Sequence, residues 1–373
     1  MNRFRLWRWS AVILTTLGAG VVAGGQAPQP PQEAPPVAAA GPAQGQGRAG
    51  GAGAPLPPGY RPTSTLNGVQ IEIPGLQDEI AMRDALPATA LARPRQPRRV
   101  LVLARAKGYA HSSIPLAAAT IKALGEKTGA WSTTITFNAA DISEENLRQY
   151  DAVFLASTTG AFLDEPADPM AEIPRRQALL DFVRSRKGLA GIHAATDSYR
   201  GGGGRGRGTA ASPAASGGAA IAPAAGPGPW TEWPKVIGGS FKFHWNFPQV
   251  VTVKIDDPRS PLTAMFTEPF QVHDEIYTFS MESFSRTNVR VLTSVDYSKM
   301  SPEDKAKEPA ATRRSDGDYA LSYIRREGKG RVFYETLGHS EHIYAQPKML
   351  QHILAGMQYA LGDLAADDSP SVK

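Results

Sequence analysis

Seven histidines occur in the 373 residues, and five of them (His111, His193, His244, His339 and His342) fall just past strand-like runs or in adjacent turns. An imidazole near neutral pH serves as base, acid or metal ligand, and functional groups gather on loops held by a rigid scaffold. The stretch Val272-His-Asp-Glu-Ile-Tyr277 adds a second constellation. In an alternating strand His273, Glu275 and Tyr277 share one face while Asp274 and Ile276 share the other, which sets a base, an acid and a ring side by side. Lys242 and His244 lie with Trp245 in an aromatic segment, a combination that suits a sugar site as well as plain aromatic packing. Asp197 follows His193 by one short turn, where it could orient an imidazole or simply stop a turn. His193, His339 and His342, helped by Glu341 or His111, could also ligate zinc or a similar divalent ion, although no histidine pair stands at i, i+4 spacing. No other cofactor is expected.

Composition narrows the classes. There is no cysteine, hence no disulfide, thiolate metal site or cysteine nucleophile. The 40 basic against 35 acidic residues give a net charge of +5, but the excess falls entirely in residues 1–60 and 201–229. The foldable remainder is neutral and carries no clustered basic face for nucleic acid. Arg3, Arg5 and Arg8 precede an apolar run from Ala11 to Val22 and then small residues, the pattern of a secretory signal over 1–23. That run is shorter than the ~20 residues that span a bilayer, so a periplasmic or secreted protein without stable membrane insertion is expected. Oligomeric state is left open.

Residues 24–58 are Gly, Ala, Pro and Gln with almost no large apolar side chain, a disordered linker; 201–229 repeats that composition as a disordered insertion. Residues 59–97 read as an extended arm and 363–373 as a disordered tail. Between them, 98–362 alternates continuous apolar runs with helical patterns: strands at Arg99 to Ala104, Thr133 to Phe137, Asp151 to Ala156 and Gly188 to Ile192, helices at Pro115 to Thr128 and Pro174 to Arg186. Asp141 with Glu144 forms a capping box ahead of a short helix. Strand-like runs follow at Val250 to Ile255, Phe270 to Phe279 and Val289 to Val295, then a hairpin around Glu327-Gly-Lys-Gly330 and a closing helix over 347–361. The spacing predicts an α/β sandwich with a mainly parallel sheet and an antiparallel C-terminal part.

Seven short motifs stand in order: Gly108-Tyr-Ala-His-Ser-Ser-Ile-Pro115 after the first strand, Ser157-Thr-Thr-Gly160, Gly191-Ile-His-Ala-Ala-Thr-Asp197, Gly238-Gly-Ser-Phe-Lys-Phe-His244, Asp274-Glu-Ile-Tyr277 and Gly338-His-Ser340, with Arg99-Val-Leu-Val-Leu103 at their head. Over residues 98–362 this pattern resembles the ThuA-like family, named for trehalose utilisation, within the class I glutamine amidotransferase-like superfamily. The resemblance implies a flavodoxin-like sandwich. It also implies that His193 occupies the elbow where amidotransferases keep a cysteine, that His339 matches their base and Glu275 an acidic position of the family. An imidazole cannot replace a thiolate in that mechanism, so glutamine hydrolysis is excluded.

The expectation is an exported protein acting on a sugar or oxidised (keto) sugar, with His193, His339, Glu275 and Asp197 catalytic and His111, Ser112, Thr159, Lys242, His244, His273, Asp274, Tyr277 and Glu341 contacting substrate. A non-catalytic carbohydrate-binding protein and a metal-dependent hydrolase are the alternatives.

Overall fold

The computed structural model describes residues 72–165, 168–199 and 229–372. The expected signal segment, the linker, the first part of the arm and all but the last residue of the insertion lie outside the described residues. Among the described residues no helix is long and apolar enough to cross a membrane.

Among the described residues nine strands, β1 (Arg99–Leu103), β2 (Ser132–Thr136), β3 (Ala152–Ala156), β4 (Gly188–Ile192), β5 (Phe241–Ile255), β6 (Phe270–Phe279), β7 (Arg290–Val295), β8 (Ala320–Glu327) and β9 (Gly330–Glu335), form one sheet. Their order is β2-β1-β3-β4-β9-β8-β7-β5-β6. The first five in that order are parallel and the rest antiparallel. Order 2-1-3-4 with β9 in fifth place is the flavodoxin-like doubly wound arrangement, which opens its ligand crevice at the carboxyl ends of the parallel strands. Those ends of β1, β3, β4 and β9 lie at one edge, and the loops that follow carry His111, Ser157, His193 and His339.

Among the described residues seven α-helices accompany the strands: α1 (Leu76–Asp84), α2 (Ile114–Thr128), α3 (Glu144–Leu147), α4 (Glu172–Arg184), α5 (Trp233–Ile237), α6 (Pro302–Ala306) and α7 (Pro347–Ala360). Strand periodicity divides the core between the two faces. Val100, Val102, Phe154 and Ile192 pack with α2 and α7, while Leu101, Leu103, Val153 and Leu189 pack with α4 and α5. A third apolar cluster, including Trp245, Val272, Ile276 and Leu321, fills the antiparallel half. Pro115 in the first turn of α2 and Gly129 at φ 67° after its last turn bound that helix as expected. On α7, a Cβ added at Gly356 would sit 2.3 Å from the Phe333 ring, so helix and sheet touch where only glycine fits. Gly356→Ala is therefore expected to cost about 1–3 kcal/mol by overpacking, seen as a lower urea midpoint at unchanged m-value.

Four local expectations are corrected. Residues 72–97 are not a purely extended arm: α1 forms there, burying Met82, and the following chain is fastened by Gln358, whose side chain accepts from the backbone of Leu91 (2.9 Å) and Ala92 (3.2 Å). The 363–373 tail is ordered over its described part, since Asp363 pairs with Arg98 at 2.6 Å and Ser371 bonds the backbone of Val289 and Val291. Ser143, not Asp141, caps α3 by accepting from Asn146 N–H; the Asp141 carboxylate instead accepts from the Thr136 hydroxyl. Finally, β5 begins at Phe241 rather than near Val250, paired with β6 through a register irregularity that accommodates Asn246 to Pro248.

Candidate functional site

Three loops from the parallel half and one strand from the antiparallel half meet. The backbone of His193, immediately after β4, takes φ 47°, in the left-handed region, and its side chain is fully buried. Holding a non-glycine residue there costs on the order of 1–3 kcal/mol and is a recurring feature of functional sites. Ser157, at the matching exit of β3, also takes φ 50°. The His193 Nδ1 lies 2.9 Å from the Thr336 carbonyl oxygen. A carbonyl only accepts, so Nδ1 carries the proton and neutral His193 presents a bare Nε2 to the site.

Three groups face that Nε2. His111 Nε2 is at 3.2 Å, His339 Nδ1 at 3.3 Å and Glu275 Oε2 at 3.4 Å. His339 Nδ1 and Glu275 Oε2 are themselves 3.1 Å apart. All four atoms lie within 4.8 Å of one another and all four residues are buried. On the outer side of the carboxylate, His244 Nδ1 is 3.0 Å from Glu275 Oε1, and the His244 side chain is 35% exposed. Tyr277 packs its ring 4.4 Å from that of His193, and Phe247 stacks on His339 at 5.9 Å.

The electrostatics follow from burial and mutual charge. Burial pushes the His111 imidazole well below its ordinary range, reinforced by His193 and His339. His244 is lowered by burial, with Glu275 opposing. Burial alone would raise the Glu275 carboxyl, but its hydrogen bond with His339 and the charges of His339 and His244 together hold it well below the carboxylate range. Burial disfavours charge on His339, yet its hydrogen bond and charge pairing with Glu275, helped by Asp274 and Glu341, leave it raised. An ionised carboxylate thus faces three imidazoles in a water-poor site.

The loop after β9 is held by Asp274. Its fully buried carboxylate accepts from the backbone N–H groups of Gly338 (2.7 Å), His339 (3.3 Å) and Ser340 (3.2 Å). Ser113 Oγ, at the start of α2, donates to the Gly338 carbonyl at 2.9 Å. Gly338 has φ 124°, and a Cβ there would meet the Tyr344 hydroxyl at 2.7 Å, so glycine is required.

Of the expected catalytic residues, His193, His339 and Glu275 come together and Asp197 does not. Asp197 ends the short turn after β4 and its carbonyl accepts from Gly160 N–H at 3.0 Å; the group that orients His193 is the Thr336 carbonyl. Among the expected substrate contacts, His111, His244 and Tyr277 join the cluster. Asp274 is a backbone clamp rather than a contact. Thr159 likewise serves the loop after β1, accepting from Gly108 N–H at 3.0 Å and donating to the Tyr109 carbonyl at 2.9 Å. Ser112 donates to Glu341 beside the cluster. Lys242 is exposed and its charge acts on Glu282, and His273 neighbours His342 instead of Glu275's partners. Neither His342 nor Glu341 is among the converging donors, so the expected metal set keeps His193, His339 and His111, loses those two and gains Glu275. Trp230 and Trp233 are buried in the core with Phe162 and Tyr199.

Fold and site together define a flavodoxin-like α/β protein with a buried histidine–carboxylate centre at its strand exits. The chain belongs to the ThuA family, described as trehalose utilisation, whose model matches residues 99–360. Among solved structures, it is similar to a ThuA-like protein of Bacteroides uniformis, at 18% identity and TM-score 0.50, over 77% of this chain and 99% of that one. A ThuA-like protein of Parabacteroides merdae matches at 14% identity and TM-score 0.45, over 73% and 93% of the respective chains. No curated protein matches the chain.

Proposed function

We propose that the chain is an exported enzyme that modifies a small sugar or its oxidised, keto form at a centre of His111, His193, Glu275 and His339 holding a divalent cation of the zinc type. The observation that carries this is the spacing of the four donor atoms. Nitrogen and oxygen ligands 2.0–2.1 Å from a tetrahedral zinc ion stand about 3.3–3.4 Å from one another. Four of the six separations among these atoms, 3.1, 3.2, 3.3 and 3.4 Å, lie close to that edge, and the whole set lies within 4.8 Å. The chemistry of the set agrees: the bare Nε2 of His193 points at a carboxylate oxygen, two acceptors that need a positive species between them. Carbohydrate as substrate class rests on the family's description, and export on the basic and apolar run at the N-terminus.

A divalent cation bound there would polarise a carbonyl or hydroxyl oxygen of the sugar. The chain's own groups do the positioning. Thr336 fixes the His193 tautomer, Asp274 fixes the loop bearing His339, and His244 holds the outer oxygen of Glu275. A second reading is favoured by the ionised Glu275 beside a His339 of raised proton affinity: the same groups, without a cation, form an acid–base pair.

Metal analysis of the purified protein, with turnover of trehalose and of oxidised trehalose followed by product analysis, separates these. About one equivalent of metal, and activity abolished by chelator and restored by zinc, is the expected result. Chelator-insensitive turnover by metal-free protein removes the cation and leaves the acid–base reading. Sugar-dependent thermal shift with no product at any incubation time identifies a binding protein instead.

A further inference from the structure

The four groups of the centre are not equally held. His193 donates its second ring nitrogen to Thr336, Glu275 engages its second oxygen with His244, and His339 is fastened through its backbone to Asp274 with its ring stacked on Phe247. His111 differs. Its Nε2 faces the cluster, but its Nδ1 is buried and has no hydrogen-bond partner. Histidines that ligate a metal almost always donate the other ring N–H to a carboxylate, carbonyl or water, which fixes tautomer and orientation. Apart from that Nε2 contact, the His111 ring meets Tyr109 at 4.7 Å, His193 at 4.7 Å and His339 at 5.1 Å edge-on, and its backbone carbonyl accepts from Ile114 N–H at 3.2 Å. Tyr109, its neighbour in the loop after β1, is 49% exposed, so this flank of the cluster borders solvent.

Coordination number makes the difference consequential. Four protein ligands close a tetrahedral site, as in structural zinc centres, whereas a catalytic centre keeps three and leaves one position for water or substrate. Resting on the cation proposed above, we infer that His111 is a displaceable fourth ligand. It closes the centre at rest and yields its position to an oxygen donor of the substrate, a sugar carbonyl or hydroxyl, while His193, Glu275 and His339 stay in place. Turning outward, the ring of His111 gives its orphaned Nδ1 access to water, which offsets the loss of its Nε2 contact. The metal–nitrogen bond that breaks is replaced by a metal–oxygen bond, with no change of oxidation state.

Cobalt(II) titration of the full chain, followed by visible absorption, tests this. The wild type should bind one equivalent with the intense bands of a tetrahedral ion. His111→Ala, and His111→Leu as a second variant that fills the same space, should still bind one equivalent with affinity lowered by no more than roughly tenfold, within the range of losing an outer-shell partner. Their bands should weaken as water enters, and azide should then bind where it does not in the wild type. The inference is overturned if the His111 variants keep the wild-type spectrum, since His111 is then no ligand. It is equally overturned if they lose cobalt as completely as His193→Asn, since His111 is then indispensable. A wild type that takes up no cobalt is a separate failure, of the cation itself.

Discussion

His193→Asn is expected to give a folded protein that retains no divalent cation and turns over no sugar. The replacement matters as much as the residue. At φ 47° the backbone is in a region that Asn, Asp and His populate several-fold more than other non-glycine residues, so alanine would add backbone strain to the loss of the ring. Asparagine keeps the conformation and can still donate to Thr336, but it has no nitrogen where the His193 Nε2 meets three other groups. The loss of affinity should exceed the roughly 10–100-fold that removal of an outer-shell partner costs. Metal content, turnover and near-ultraviolet circular dichroism check it together. A variant with native circular dichroism that still carries a full equivalent of cation and remains active contradicts the place given to His193.

Asp274→Ala should be the most destabilising single change around the site. Three backbone N–H groups lose their shared acceptor in a fully buried setting, each worth about 1–3 kcal/mol when left unmade. Loop relaxation recovers part of this, so a net loss on the order of 3–5 kcal/mol is expected, read from urea unfolding. Because the freed loop carries His339, metal affinity should fall as well. Asp274→Asn keeps one oxygen but turns donors towards donors, and should recover only a minor part. A urea midpoint for Asp274→Ala equal to the wild type would show that the clamp is dispensable.

The parallel half of the molecule was legible because each of its central strands is buried on both faces, which writes a continuous apolar run into the sequence. The loops after those runs then exposed His111, His193 and His339 to inspection. What escaped notice had no side-chain signature. Thr336 acts through its carbonyl, so nothing in its residue type separates it from Asp197, whose carboxylate drew the role instead. Asp274 was correctly separated from Glu275 by strand alternation, but its partners are backbone amides 64 to 66 positions away. The first part of β5 was hidden by Pro248 and the aromatic residues around it, which break alternation at the bulge. Glu275 was recognised, yet its approach to His193 depends on tertiary pairing that local pattern does not encode.

The four groups of the centre belong to segments far apart along the chain: His111 and His193 are 82 positions apart, and His193 and His339 146. A ligand seated among them ties four separate stretches into one knot, much as a set of covalent bridges would, in a chain with no cysteine to make them. Such a ligand sees no binding site in the unfolded chain, so at one hundred times its dissociation constant it adds about 2.7 kcal/mol to the folded state. It also cannot seat before the antiparallel strands have docked on the parallel ones. Its capture rate would therefore be a clock for the last step of folding.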